Sequence, residues 1–295
     1  MKPKIIVFGA NGFIGGYLYN YLKEQGYDVI GTYHGKKRKG LIPFDITNFD
    51  LNDLNLKDVK YGVICSAMCK IDSCVSNYNA HMVNVVGTEK LIEDLWNKKI
   101  TPVFLSSAEV YNGKGGEDET YSLNPINVYG QQKKIVDSFI KCNIVNETAG
   151  WNEYIIVRPS KVFGLKKGEG LFVDWLEKYR NNEMIHCIWD ESIPHLYVMD
   201  LVKCIEILIN KKMFGVHNIC NPNEHLSRYE MAVKFFDYMG INADIEKIGW
   251  EDLNLLERRS KNVWMDMRSF ISETGFKFTS LNEIFEMIKK LKIVK

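Results

Sequence analysis

The chain opens on an apolar run, Ile5-Ile6-Val7-Phe8, closed by Gly9. That run is too short for the apolar core of a signal peptide and lacks a small-residue cleavage pattern, so it predicts a first strand. Phe13-Ile14, Tyr17-Leu18 and Tyr21-Leu22 then recur at helical spacing, and Gly26 ends that helix. Residues 28–33 predict a second strand, 41–44 a short third and 61–66 a fourth with buried character in Val63-Ile64-Cys65. Residues 82–98 return to helical periodicity, 102–105 predict a fifth strand, 135–140 a helix and 154–157 a further strand. Strands alternating with helices over roughly the first 155 residues predict an α/β fold, a doubly wound parallel sheet covered on both faces. The second half has fewer strands and more helix. Two of its helices carry Ser-x-x-Glu capping patterns, Ser227 with Glu230 and Ser280 with Glu283.

Charge and composition narrow the class. The chain has 295 residues, with 38 Lys and Arg against 37 Asp and Glu, a net charge of +1 that lacks the basic excess of a nucleic-acid binder. No apolar stretch approaches the length of a membrane helix, so neither nucleic acid nor membrane is an expected partner. Seven scattered cysteines suit free thiols in a reducing compartment, which predicts a cytoplasmic protein. The His and Cys groupings lack the paired spacing of a zinc site, so no metal is expected.

Candidate chemistry begins at Gly9-Ala10-Asn11-Gly12-Phe13-Ile14-Gly15, between the first strand and the first helix. Glycines there permit the tight turn, the close approach of backbone N–H groups to a pyrophosphate, and helix–strand packing. A dinucleotide's second sugar meets the exit of the second strand, where NAD-selective sites usually place an acid. Here the exit reads Tyr33-His34-Gly35-Lys36-Lys37-Arg38, and the nearest acid, Asp28, begins the strand at the wrong end. The expected cofactor is therefore NADP, with NAD as the alternative. Residues 1–160 with about 196–222 are expected to form this nucleotide-binding domain. About 161–195 and 223–295 would form a smaller substrate-binding domain.

Tyr129-Gly130-Gln131-Gln132-Lys133 precedes a helical stretch, and its i, i+4 spacing puts Tyr129 and Lys133 on one helical face. A cation beside a phenol favours the phenolate, so Lys133 is expected to lower the Tyr129 pKa. Ser106-Ser107 ends the fifth strand, where ligands of doubly wound sheets bind, and a hydroxyl there polarises a substrate carbonyl. Arg158 follows the next strand and reaches either the pocket or a carboxylate inside the fold.

In this order the motifs resemble the extended short-chain dehydrogenases/reductases, and within them the dTDP-4-dehydrorhamnose reductase group of sugar-nucleotide reductases. Phe44-Asp45-Ile46-Thr47 resembles that group's Leu-Asp-Ile-Thr. Residues 106–113 resemble its Ser-Thr-Asp-Tyr-Val-Phe-Asp-Gly. Residues 124–133 are similar to its Asn-Pro-x-Asn-x-Tyr-Gly-x-x-Lys, and 259–266 to its Arg-Pro-x-Asn-Ser-x-Leu-Asp. The resemblance implies that Ser107 holds the substrate carbonyl, Tyr129 protonates the forming alkoxide, and Lys133 binds the nicotinamide ribose and tunes Tyr129. Asp45, Ile46, Ser66, Ala67 and Met68 would run beside the cofactor. Ala108, Glu109, His195, Arg259 and Asn262 would face the substrate, the last two on its nucleotide-diphosphate side.

Two departures stand out, Ala108-Glu109 for Asp-Tyr and Arg259-Ser260 for Arg-Pro. Ala108 also stands where similar 4,6-dehydratases carry an acid, which argues against elimination. The implied function is NAD(P)H-dependent reduction of a nucleotide-activated 4-keto-6-deoxysugar for surface polysaccharide or glycoconjugate synthesis, by a homodimer. The alternatives are an NAD-retaining sugar-nucleotide epimerase and a non-catalytic regulatory subunit, such as the β subunit of methionine adenosyltransferase, which has the same resemblance.

Overall fold

The computed structural model describes residues 2–145, 151–223 and 225–291. Its strands are β1 (Lys4–Phe8), β2 (Val29–Tyr33), β3 (Ile42–Pro43), β4 (Val59–Ile64), β5 (Thr101–Leu105), β6 (Ile155–Pro159), β7 (Val162–Phe163), β8 (Ile185–Ile188), β9 (Leu196–Tyr197), β10 (Gly215–Ile219) and β11 (Ile245–Ile248). Seven of them form one sheet in the order β10-β6-β5-β4-β1-β2-β3, and every pairing in it is parallel. The order reverses between β1 and β4, and in a doubly wound sheet that crevice, at the carboxyl ends of the strands, is where ligands bind.

The strands read as unbroken apolar runs because both faces are buried. In β1, Ile5 and Val7 enter one core while Ile6 and Phe8 enter the other, and in β5 Val103 and Leu105 are split from Phe104 in the same way. One face is covered by α1 (Phe13–Glu24) and α7 (Val198–Lys211). The opposite face is covered by α4 (Thr88–Asn97) and α5 (Val128–Val145), with α2 (Ile71–Ser76) and α3 (Tyr78–His81) leading into α4. A third core forms the smaller lobe, where Phe163 and the β8–β11 pair meet α6 (Leu171–Arg180), α8 (Arg228–Met239) and α10 (Leu281–Lys290). The expected capping boxes are present at Ser227 and Ser280.

Several boundaries differ from the sequence reading for identifiable reasons. The helix expected at 135–140 runs from Val128 to Val145, so Tyr129 and Lys133 lie inside its first turns rather than ahead of it. The helix expected over 82–98 is a π-helical turn at Met82–Gly87 followed by α4. Gly87 lies against the Ile46 carbonyl, where a Cβ would collide. The third strand shrinks to Ile42–Pro43, since proline has no N–H to give a sheet edge. The fourth ends at Ile64, releasing Cys65 and Ser66 into the crevice. The sequence reading put all of 223–295 in the smaller lobe. Met265, Met267, Phe270 and Phe278, around α9 (Arg268–Thr274), pack instead into the core beneath α1 and α7. All seven cysteines are free, and among the described residues no helix is long and apolar enough to cross a membrane.

Candidate active site

The glycine loop turns directly over the end of β1. Gly9 has φ +82°, and a Cβ there would meet the Ser66 backbone N at 2.9 Å; Gly15 packs so closely that a Cβ would strike the Gly9 carbonyl. The loop and the end of β4 therefore touch backbone to backbone, which opens the α1 N-terminus to the crevice. No side chain caps that terminus and no acid lies in the first turn of α1, so its N–H groups are available to an anion. This cradle fits a dinucleotide pyrophosphate.

Two adjoining cavities run from here along the strand ends and share Gly12, Cys65 and Ala67. The first, about 470 Å³, is lined by Gly9, Asn11, Tyr33, His34, Asp45, Ile46, Ser66 and Met68. All eight are among the residues expected to bind the cofactor. The Asn11 amide donates to the His34 carbonyl at 3.0 Å, and Arg38 Nη1 donates to the Ala10 carbonyl at 3.4 Å, placing a guanidinium against the glycine loop. No acid lies at the exit of β2, but Asp45, from the exit of β3, comes within 3.7 Å of His34. Hydrogen bonds from Thr47 hold the Asp45 carboxyl below its ordinary range.

The second cavity, about 650 Å³, lies between the sheet and the smaller lobe. Phe13, Ile14, Ser107, Ala108, Glu109, Tyr129, Lys133 and Arg259 all line it. Ser107 caps a short 3-10 turn, where its Oγ accepts from the Glu109 N–H at 3.2 Å and keeps its own O–H to give. Lys133, buried, donates from Nζ to the Leu105 carbonyl at 2.8 Å and lies 5.8 Å from the Tyr129 ring centre. Burial lowers the Lys133 pKa. Lys133 does not lower the Tyr129 pKa as expected: burial first, then the neighbouring Cys69 thiol, raise it well above the ordinary phenol value. Tyr129 is accordingly a neutral phenol, an acid rather than a ready-made base.

His195 and Asn262 do not line the cavity. His195 is 3% exposed, with Nδ1 2.8 Å from the Ile193 carbonyl, and burial depresses it to about 3. Asn262 sits on a backbone bridge to Ser192. Arg158 takes the inward option, bonding from Nε to Asp137 at 2.8 Å and from Nη1 to the Tyr111 hydroxyl at 2.6 Å, fully buried.

The departures noted in the sequence meet in space. Ser260 Oγ donates to Glu109 Oε2 at 2.9 Å, and Asn127 Nδ2 donates to the same oxygen at 2.7 Å. Arg259 pairs with Asp72 at 2.8 Å, and Glu257 accepts from the Val128 N–H at 2.9 Å. Residues 257–260 thus strap the start of α5, the loop after β5 and α2 together.

Sequence reasoning missed Asn84, Cys69, Lys161 and Arg228. Asn84, in the π-helical turn, clamps both backbone groups of Met68 (2.8 and 2.9 Å) and donates to Gln132 at 2.7 Å, linking the cofactor strip to the Tyr129 helix. The signal for it was an amide inside the β-branched run Val83-Asn84-Val85-Val86 of an otherwise regular helix. Cys69, Lys161 and Arg228 line the larger cavity, and single cysteines and cations carry no spacing signal.

Residues 5–221 match the NAD dependent epimerase/dehydratase family. The chain belongs to that family. This places it among the extended short-chain dehydrogenases/reductases, in agreement with the resemblance read from its motifs. A putative UDP-glucose 4-epimerase of Methanocaldococcus jannaschii is 30% identical over 229 residues, 70% of this chain and 74% of the relative. Among solved structures, a dTDP-4-dehydrorhamnose reductase from Bacillus anthracis in complex with NADP superposes with a TM-score of 0.83 at 25% identity, covering 99% of this chain and 100% of that one. A UDP-glucuronic acid 4-epimerase variant from Bacillus cereus, in complex with a fluorinated substrate analogue and NAD, superposes with a TM-score of 0.81 at 20% identity over 98% and 99% of the two chains, a likeness of fold. The NADP and NAD of those two solved structures are nicotinamide dinucleotides, the class of group whose pyrophosphate the cradle at Gly9–Gly15 fits.

Proposed function

We propose that this protein is an NADPH-dependent reductase of a keto group, C4 of a nucleotide-activated 6-deoxysugar, with Ser107, Tyr129 and Lys133 as its catalytic residues. The observation that carries this reading is the neutral Tyr129 phenol facing the same cavity as the free O–H of Ser107, next to a dinucleotide cradle. The nicotinamide supplies the hydride when bound. Ser107 donates its O–H to the keto oxygen and polarises the carbonyl. As negative charge develops on that oxygen, Tyr129 gives up its proton and the product is the alcohol. Lys133, fixed by the Leu105 carbonyl behind the ring, stabilises the phenolate that remains until solvent reprotonates it. Arg38 at the glycine loop, the absence of an acid at the exit of β2, and the engagement of Asp45 by Thr47 and His34 support NADP over NAD. Ala108 leaves elimination without its acid.

Oxidation of NADPH, and separately of NADH, with a panel of nucleotide-linked 4-keto-6-deoxyhexoses tests the proposal, with Tyr129→Phe alongside. Turnover with NADPH that drops by about a hundredfold or more in the variant is the expected result. Tightly retained NAD with sugar interconversion and no net oxidation would replace the reductase by an epimerase. Neither turnover nor retained cofactor would point to a non-catalytic subunit that works through a partner.

A further inference from the structure

The wall of the larger cavity opposite the glycine loop carries charges that the proposed reduction does not use. Lys161 follows β6, two residues past Pro159, and its side chain lines the cavity. Water reaches it there, so its surface is open, yet protein surrounds the amine on its other sides. Among the described residues its ammonium has no hydrogen-bond or ion-pair partner. The other cations nearby are matched: Arg259 pairs with Asp72, and the Arg228 guanidinium lies 2.9 Å from Glu191. Arg228 also stacks over Trp250 at 5.3 Å, and both line the cavity. Arg228 Nε is engaged by Glu191 Oε1, whereas Trp250 Nε1 is a buried donor with no acceptor from the protein, and Glu191 Oε2 is buried with no donor. Arg228 and Arg259 oppose the Lys161 charge, Glu191 and Glu109 favour it, and burial tips the balance against the bare ammonium until an anion arrives.

We propose that Lys161, with Arg228 and Trp250 beside it, forms an oxyanion subsite that binds a negatively charged group of the substrate and selects for it. The proposal rests on the sugar-nucleotide reading above and adds a specificity-determining residue to it. The shared chemistry is a phosphate or carboxylate oxygen, supplied either by the nucleotide's diphosphate or by an acidic substituent on the sugar. Burial, and then Arg228, lower the Lys161 pKa to about 8, so a proton is lost from the subsite within reach of ordinary buffers. Glu191, Glu109, Arg259 and Arg228 are the charged groups that act on it, and His195 behind it is neutral across that range. Affinity for the anion should therefore fall as pH rises through about 8.

The test is calorimetric binding of UDP, dTDP, UDP-glucose and UDP-glucuronate to the wild-type protein, Lys161→Met and Lys161→Arg, at pH 7 and pH 9. Thermal melting of each variant confirms folding. The expected result is a loss of about tenfold or more in Lys161→Met at pH 7. Lys161→Arg, which stays charged, should bind with the pH dependence removed. A loss that extends to UDP and dTDP assigns the subsite to the diphosphate, and a loss confined to UDP-glucuronate assigns it to an acidic sugar. Equal affinity of Lys161→Met and wild type for every nucleotide at both pH values would overturn this proposal alone. Failure of the wild-type protein to bind any of the four would overturn it together with the sugar-nucleotide reading.

Discussion

His195 shows how a residue can be chemically conspicuous and still be structural. Its Nδ1 lies 2.8 Å from the Ile193 carbonyl, which makes Nδ1 the protonated nitrogen, while Nε2 is buried without a partner. Burial, then the positive charge of Lys161, hold its pKa at about 3, against about 6.5 in an unfolded chain. The imidazole is thus neutral in the fold, and between those values the unfolded chain binds more protons than the native one. Stability therefore rises with pH up to about 6.5 and is lost on acidification toward about 3, at up to about 1.4 kcal/mol per pH unit from this residue. Denaturant unfolding at pH 4, 5, 6 and 7 measures that slope. His195→Asn, which keeps a donor for the Ile193 carbonyl and removes the titrating ring, should flatten it by close to one proton. An unchanged slope would show that His195 is already solvated in the native state.

Among the elements, α5 matters most, because it presents Tyr129 and Lys133 one turn apart and its first turn is held from outside. Asn127 Oδ1 accepts from the Gly130 N–H at 2.8 Å, and Glu257, from the distant strap, accepts from the Val128 N–H at 2.9 Å. A carboxylate there satisfies an orphan donor and complements the helix dipole. Glu257→Ala removes both effects, at a cost of about 1 kcal/mol, and if that cost falls on the placement of Tyr129 in the transition state, kcat drops about fivefold. KM for NADPH should change less than kcat, since Glu257 meets the first turn of α5 and not the glycine loop, and Glu257→Gln should recover much of the loss; steady-state kinetics of both variants decide it. Nothing in the sequence tied residue 257 to residue 128, because the tie is a loop contact with no period and no fixed spacing. What was legible was whatever periodicity or glycine geometry imposes locally: the buried strands, the Gly9–Gly15 turn, and the shared face of Tyr129 and Lys133. The π-helical turn and the early start of α5 escaped because two of their polar residues, Asn84 and Gln132, bond to each other across the fold rather than along the chain. The lowered Tyr129 pKa failed for a related reason, since a one-dimensional pattern contains the neighbouring cation but not the depth of burial that outweighs it.

At the scale of the whole molecule, the site depends on three packed cores meeting at one crevice. The sheet supplies strand ends from β1, β4 and β5, the smaller lobe supplies Arg228 and Trp250, and the strap at 257–260 closes the side between them. Tyr17 on α1 reaches the loop before α6, bonding to Glu169 at 2.7 Å, so the helix that opens the cofactor cradle is itself tied to the smaller lobe. A dinucleotide bound along this crevice would touch groups that come together only in the native state, and so would stabilise the fold by mass action. At a concentration a hundred times its Kd the gain is about 2.7 kcal/mol, which for a chain of this size raises Tm by about 5 °C. On the NADP reading proposed above, NADPH should give that shift at lower concentration than NADH, with the Arg38 guanidinium at the glycine loop as the group to meet its 2′-phosphate. Arg38→Ala should bring the two cofactors together by weakening NADPH while leaving NADH nearly as it was. Melting curves over a concentration series of each cofactor, for the wild type and the variant, measure this directly. A larger shift with NADH, unaffected by Arg38→Ala, would mean that Asp45 and His34 hold a ribose hydroxyl rather than leaving room for a phosphate, and the cofactor assignment would reverse.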